Sequence, residues 1–453
     1  MSGRTRSRRR ALGPQCTHRQ ESCQALTGRH RMAKPDLNRR QFLATAAAAG
    51  LGVATASALG PTAGTATAAM GVAAPDTPYP NLGLQMFSIR NLVSSLGFQA
   101  VFQELADIGF KDVEFAGYTS PASPGLTIAG LRGLLDANGL RAVGAHQNLN
   151  AVLGLNGAAA QMQEFENART LGMTHVGSGA LFPSMLPSNT VSDIQRIAEQ
   201  YNTAGAAAAT MGLKVYGHNH DGEFAFTTDN PARRKYDVLV ENITHPNAVI
   251  EMDIYWAYVG AARFPGFNPP DYVVSRPQRF ALFHVKDGNV VPGGTGSQIL
   301  EFGQGNIPFR AFFDAVGARS YHYPLWEQDT APNTPAALGG AAGAARRSYD
   351  NMHAVRTLTW LDELGQMIAS FAGAGRLNMR VAASLEDRRI RAAVLVESGS
   401  ETRATAYLEQ LIARANNQIR GDADDIMIRS LIVAASQQIV AWLAEAEDRE
   451  NKL

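Results

Sequence analysis

The sequence predicts a (β/α)8 barrel followed by a small all-helical region, and three observations carry that prediction. A phrase that opens with Gly and a large apolar residue, runs through a short strand-like segment and ends in small or polar residues recurs four times, at 109–117, 139–147, 172–180 and 212–220. Four further strand-like segments, less regular in form, bring the total to eight, alternating with helical stretches over roughly 280 residues, the span and pattern of such a barrel. Beyond Trp360 no strand-like segment occurs, and the chain reads as helix to its end.

The series opens with "NLGLQMFSIR" at 81–90, and the next helix is marked by Phe98, Val101, Phe102, Leu105 and Ile108, apolar residues at helical spacing. Gly109 then stands where a left-handed residue caps a helix. Each repeated phrase therefore predicts a helix ending, a tight turn and a buried parallel strand. "NAVIEMDIYWAY" (247–258), "RFALFHVKDG" (279–288) and "YHYPLWEQD" (321–329) supply the last three strands. A doubly wound open sheet is the alternative architecture, but no glycine-rich phosphate-binding turn follows the first strand.

Strands of such a barrel all point the same way, and their C-terminal ends build the active site. Reading each strand's exit gives Glu114, His146, His218 with His220, Asp253, His284 with Lys286, and Glu327. Any one of these alone is more often a satisfied polar residue than a ligand. Six exits bearing ionisable groups at equivalent positions predict a common site.

At these residues the chain resembles the xylose-isomerase-like barrels, the sugar phosphate isomerases/epimerases. The matching motifs are "FHVKDG" at 283–288, "FGQGNIPFRAFFDAVG" at 302–317 and "YPLWEQD" at 323–329, and the resemblance covers about residues 80–356. It implies a metal site with ligands at the ends of strands five to eight. Asp253, His284 and Glu327 match the last three positions. The fifth-strand position, usually Glu, is His218 here, with Glu223 further along the loop as the alternative. Where the family often has His three residues past the sixth-strand Asp, this chain has Trp256. The implied ligand set of two imidazoles and two carboxylates suits a divalent Mn, Fe, Co or Zn ion.

Such a site implies proton abstraction beside a sugar carbonyl, with Glu327 or His220 as base and Glu114, His146, Trp256 and Lys286 as substrate contacts. Because the fifth-strand carboxylate is missing, two-base epimerisation is less secured than isomerisation, and elimination from a keto-glycoside is a further option. A non-catalytic carbohydrate-binding barrel is the rival class. No phosphate cradle is evident near the last strands, so a non-phosphorylated sugar or glycoside is the expected partner. Trp256, Tyr255 and Trp326 offer aromatic faces for it, or else core packing. The same barrel serves metal-dependent DNA-repair endonucleases, which use a richer ligand cluster and a basic phosphate-binding face. The net charge of +1 gives no electrostatic argument for nucleic acid or an anionic membrane.

Residues 1–75 read as a leader. Arg39 and Arg40 precede Phe42, Leu43 and an Ala/Gly-rich stretch at 44–60, which resembles a twin-arginine export signal. A membrane anchor needs about 20 strongly apolar residues, so no stable span is expected in the mature protein, which would be periplasmic or extracellular. Both cysteines, Cys16 and Cys23, lie in this leader. The whole chain, 45% apolar and 18% charged, has the composition of an ordinary globular protein.

Residues 361–453 are expected to form a separate helical domain. Ala404, Leu408, Leu411, Ile412, Ala415 and Ile419 line one face, and "GDADD" opens the last helix with acidic residues where the helix dipole favours them. "GSETRATAYLEQLIARANNQIRGDADD" resembles the FIMAH domain found appended to exported enzymes, which implies a docking or stabilising element of unknown partner rather than a catalytic one.

Overall fold

The computed structural model describes residues 82–183, 189–291, 297–317 and 321–451; the leader, with the twin-arginine pattern and both cysteines, lies outside them. Eight parallel strands occupy the eight expected segments: β1 (Gly83–Gln85), β2 (Asp112–Phe115), β3 (Arg141–Ala145), β4 (His175–Ser178), β5 (Lys214–His218), β6 (Ala248–Asp253), β7 (Phe280–Val285) and β8 (Tyr323–Trp326). Hydrogen bonding runs in the order β3-β2-β1-β8-β7-β6-β5-β4. The remaining gap is spanned by a parallel bridge between His146 and Gly177, with the Gln147 amide donating to Gly177 at 2.8 Å. The result is a nearly closed (β/α)8 barrel.

The turns form as the repeated phrase predicts. The helix Arg90–Ile108 ends on Gly109 at φ 115°, and the helix Ala158–Leu171 on Gly172 at φ 76°. Only glycine adopts such angles without a Cβ clash, so each phrase opens with it.

Strand periodicity sorts the side chains into two sets. On β6, Ile250 and Met252 enter the large core between the strands and the outer helices, while Val249 belongs to a small cluster inside the barrel with Val143, Tyr216, Ala281, Leu282 and Leu325. Glu251 and Asp253 follow Val249 at steps of two, so the barrel interior changes from apolar to acidic along one strand. Trp326 is fully buried in the outer core and lies 6.4 Å from Phe110, roughly parallel to it, and Tyr255 is likewise fully buried. Neither offers a face to a sugar. Trp256 alone of the three stays half-buried at the barrel end.

Between β7 and β8 a short antiparallel hairpin, Asp287–Val290 with Ser297–Leu300, rises from the barrel rim. After β8 the helix Gly340–Gly373 runs unbroken for 34 residues. The boundary expected after Trp360 therefore falls inside a helix. Three more helices follow, Met379–Glu397, Glu401–Gln418 and Ala423–Asn451. Arg310, on the barrel helix Phe309–Val316, pairs with Asp362 at 2.5 Å and Glu397 at 3.3 Å. Trp442 lies parallel to His353 at 4.4 Å and meets Trp360 edge-on. The segment Ala423–Ala444 is, by length and composition only, apolar enough to cross a membrane; its Ile428, Ile432, Ile439 and Leu443 are buried against the other helices.

Candidate metal centre at the barrel mouth

The C-terminal ends of β5, β6, β7 and β8 bring His218, Asp253, His284 and Glu327 together. Each offers one ligand atom, and these atoms all lie within 4.8 Å of one another, with all four residues buried. His284 Nδ1 is 2.7 Å from Glu327 Oε2, and His218 Nε2 is 3.6 Å from Asp253 Oδ2. Local structure fixes Asp253: it is the N-cap of the helix Ile254–Arg263, its Oδ1 accepting from the Trp256 amide at 2.9 Å. Its other oxygen, Oδ2, is turned to the cluster, facing His218 and Lys286.

Lys286 closes this layer. Fully buried, its Nζ stands 2.8 Å from Glu327 Oε2, 3.0 Å from Asp329 Oδ2 and 3.1 Å from Asp253 Oδ2. Burial disfavours its charge, but the three carboxylates outweigh burial and hold its pKa well above the usual lysine value. Lys286 was expected to touch substrate; here it ties the acidic residues together and lies under the Trp256 ring, 5.7 Å from its centroid.

A second layer lies one strand step deeper. Glu251 Oε2 is 2.7 Å from His146 Nε2 and 3.2 Å from His218 Nδ1. Glu114 Oε2 is 2.7 Å from both His284 Nε2 and the donating Gln85 Nε2, while its Oε1 accepts from the Tyr216 hydroxyl and lies 3.2 Å from His146 Nε2. His146, His218, Glu251 and His284 form a second group whose atoms could surround an ion. Glu114, expected as a substrate contact, thus sits beneath the mouth, with both oxygens occupied by protein groups and no exposure, whereas His146, likewise expected to touch substrate, keeps 15% of its side chain exposed.

The electrostatics follow from burial set against these neighbours. Desolvation pushes Asp253 up to about 6 and holds His218 well below the ordinary histidine value. For Glu327, burial is overcome by Lys286 and His284, and the carboxyl stays ionised. For His284, burial is overcome by Glu251, Glu327 and Glu114, and the ring carries a proton. Five carboxylates (Glu114, Glu251, Asp253, Glu327 and Asp329) thus face Lys286, His146 and His284. An acidic excess in a buried chamber, with ligand atoms of two imidazoles and two carboxylates within 4.8 Å of one another, fits a divalent cation, which would take the place of the His284 proton.

At the rim His220 is exposed, its ring 5.0 Å from His218 and 5.8 Å from Trp256. Partial desolvation, helped by the Lys286 charge, outweighs the nearby carboxylates and lowers its pKa below the usual value. Glu223 does not join the cluster; its Oε2 accepts from the His220 amide at 2.9 Å and closes the short 3-10 turn Asp221–Phe224. His218 therefore stands alone at the fifth-strand position.

Sequence reasoning missed Glu251, Tyr216 and Gln85. The signal for Glu251 was present: in "VIEMD" it stands two residues before Asp253, hence on the same strand face. It does not stand out because it lies inside β6 rather than at the strand exit.

Comparison with known proteins adds the following. The family model described as Xylose isomerase-like TIM barrel matches residues 102–339, just over half of the chain. Among solved structures the chain is similar to a sugar phosphate isomerase/epimerase from Parabacteroides distasonis, at 20% identity over 61% of this chain and 97% of that one, TM-score 0.45. It is also similar to an L-ribulose 3-epimerase, at 15% identity over 61% and 95%, TM-score 0.42. A third similarity is to a xylose isomerase-like TIM barrel protein from Mycobacterium smegmatis in complex with magnesium, at 13% identity over 59% and 95%, TM-score 0.41. No curated protein matches the chain.

Proposed function

Because the chain belongs to the xylose isomerase-like TIM barrel family, we propose that its barrel mouth is the active site of a metal-dependent sugar isomerase or epimerase. The substrate would be a non-phosphorylated keto-sugar or glycoside, and the chemistry proton abstraction beside its carbonyl. The observation that carries this reading is the convergence of His218, Asp253, His284 and Glu327 within 4.8 Å at four adjacent strand ends. A divalent Mn, Fe, Co or Zn ion held there would supply Lewis-acid polarisation of the sugar carbonyl or hydroxyl.

The remaining work falls to the chain's own groups. Glu327, kept ionised by Lys286 and His284 despite burial, is one candidate base. His220 is the other, since its depressed pKa leaves the ring neutral and able to accept a proton near pH 7. Trp256, with an indole N–H that has no hydrogen-bond partner, offers both an apolar face and a donor to a sugar hydroxyl. A neutral substrate is favoured because Lys286 is committed to three carboxylates, and Arg90 donates to the backbone oxygens of Phe87 and Asp329.

Elimination is the second reading, and one observation favours it. The fifth strand ends in an imidazole rather than a carboxylate, so a carboxylate base for the opposite face of the reacting carbon is missing, whereas elimination needs only one base and a leaving group. From the arginine pair of the leader we place the activity outside the cytoplasm, with the helical tail serving docking or stability.

Incubating the metal-loaded protein with keto-sugars and keto-glycosides in D2O tests the proposal. Deuterium is expected at the carbon beside the carbonyl. An unsaturated product selects elimination, and sugar binding without any exchange or turnover rejects the enzymatic reading in favour of a binding protein.

A further inference from the structure

Beneath the four mouth residues lies a set of buried polar groups that the proposed chemistry does not use. Its arrangement relative to the two imidazoles is specific. His218 turns Nε2 toward Asp253 in the mouth layer and Nδ1 toward Glu251, 3.2 Å away in the layer below. His284 turns Nδ1 toward Glu327 in the mouth layer and Nε2 toward Glu114, at 2.7 Å, in the layer below. His218 therefore stands between one mouth carboxylate and one deep carboxylate, and His284 between Glu327 and two deep ones, Glu114 as the nearer and Glu251 Oε1 at 3.1 Å, each imidazole through opposite ring nitrogens.

We propose that Glu251 and Glu114 are positioning residues for the metal centre: Glu251 accepts the Nδ1–H of His218 and Glu114 the Nε2–H of His284, so that His218 Nε2 and His284 Nδ1 are the ligating atoms. This inference rests on the metal-dependent reading of the same mouth. A neutral imidazole carries one N–H and one lone pair, so fixing the proton on the deep nitrogen presents the lone pair to the mouth. The deep carboxylates are themselves held. Gln85 and the Tyr216 hydroxyl donate to Glu114. His146 Nε2 lies 2.7 Å from Glu251 and 3.2 Å from Glu114, tying the two together. Glu251, Glu114 and His284 have no exposed surface and His218 almost none, so water does not compete for these contacts.

The placement follows from the strand repeat. Glu251 precedes Asp253 by two residues on β6, which puts the acceptor for a ligand's N–H one layer beneath the ligand carboxylate of the same strand. Acceptors of this kind set tautomer and ring orientation, and losing one costs about 10–100-fold in metal affinity.

The test uses the full chain with Co2+ or Zn2+ and needs no substrate. In the zinc-loaded wild type, labelled with 15N-histidine, His218 is expected to bind through Nε2 with Nδ1 protonated, and His284 through Nδ1 with Nε2 protonated. Glu251→Gln, which replaces an acceptor pair with one acceptor and a competing donor, should weaken Co2+ binding about 10–100-fold and alter the visible Co2+ spectrum while thermal unfolding remains cooperative. Ligation of either histidine through its deep nitrogen overturns the proposal. So does a folded Glu251→Gln variant with wild-type Co2+ affinity and spectrum. Should the variant not fold, the wild-type tautomer measurement decides alone. A wild type that binds neither metal removes the metal reading itself, and this inference with it, which separates that outcome from a failure of positioning only.

Discussion

His146 sits between Glu114 and Glu251, and burial by itself would strip its proton. The two carboxylates outweigh burial and lift its pKa from 6.5 to about 10. A folded-state pKa raised above the unfolded value contributes stability that is complete below about 6.5 and is lost as pH rises through about 10. Metal-free protein should therefore lose stability across that window, with a contribution from this one proton of up to about 1.4 kcal/mol per pH unit. The His146→Gln variant should show a flatter dependence over the same range by denaturant titration; equal slopes would mean that His146 is not the group responsible. At this scale the sequence revealed the mouth but not its floor. His218, Asp253, His284 and Glu327 were legible because each ends a strand. Glu251 was not, since a carboxylate inside an apolar strand reads as an exception until its neighbours Glu114, His146 and Tyr216 arrive from other strands.

The segment after β7 shows at the element scale how "FHVKDG" and "FGQGN" are joined. Asp287 accepts backbone hydrogen bonds from Gly288 at 2.7 Å, Gly303 at 2.9 Å and Gly305 at 3.0 Å. Asn306 then exchanges side-chain hydrogen bonds with the Val290 backbone at 2.8 and 3.0 Å. The aspartate and the glycine loop are thus two halves of one clamp, which fixes the hairpin beside the mouth. A Cβ at Gly305 would collide with Asp287 Oδ1 and the Gly288 carbonyl. Gly305→Ala should destabilise the protein by about 1–3 kcal/mol, read as a lowered denaturation midpoint; an unchanged midpoint would show that the loop can move aside. Strands and their order were readable because a two-residue alternation and a capping glycine are local signals. The antiparallel hairpin was not, because each of its strands is four residues long and pairs only within a loop.

For the whole molecule, the sequence marks a change in composition after Trp360, whereas the helix Gly340–Gly373 passes that point without a break. What changes there is the helix's company: Leu358 and Trp360 are followed by Leu361, Leu364, Ile368 and Phe371, buried in a region where three further helices stack. A helical period cannot tell which neighbour covers a buried face, so a domain boundary is hard to read from it. A chain cut after Trp360 loses Trp442 from His353 and Trp360, and loses the partners of Arg310. Uncovering Trp360 costs about 1.5–3 kcal/mol. The shortened protein should unfold at a lower temperature yet keep any sugar turnover, since no residue of the mouth lies beyond Glu327 and Asp329. An unchanged unfolding temperature would show that the tail gives the barrel no support.

The central claim is that His218, Asp253, His284 and Glu327 hold a catalytic divalent ion. Metal analysis of the purified wild type beside His284→Ala tests it most directly. The wild type should carry a stoichiometric divalent metal, and the variant should lose the metal and the solvent-deuterium exchange together while remaining folded. Full metal retention in a folded His284→Ala protein would contradict the assignment.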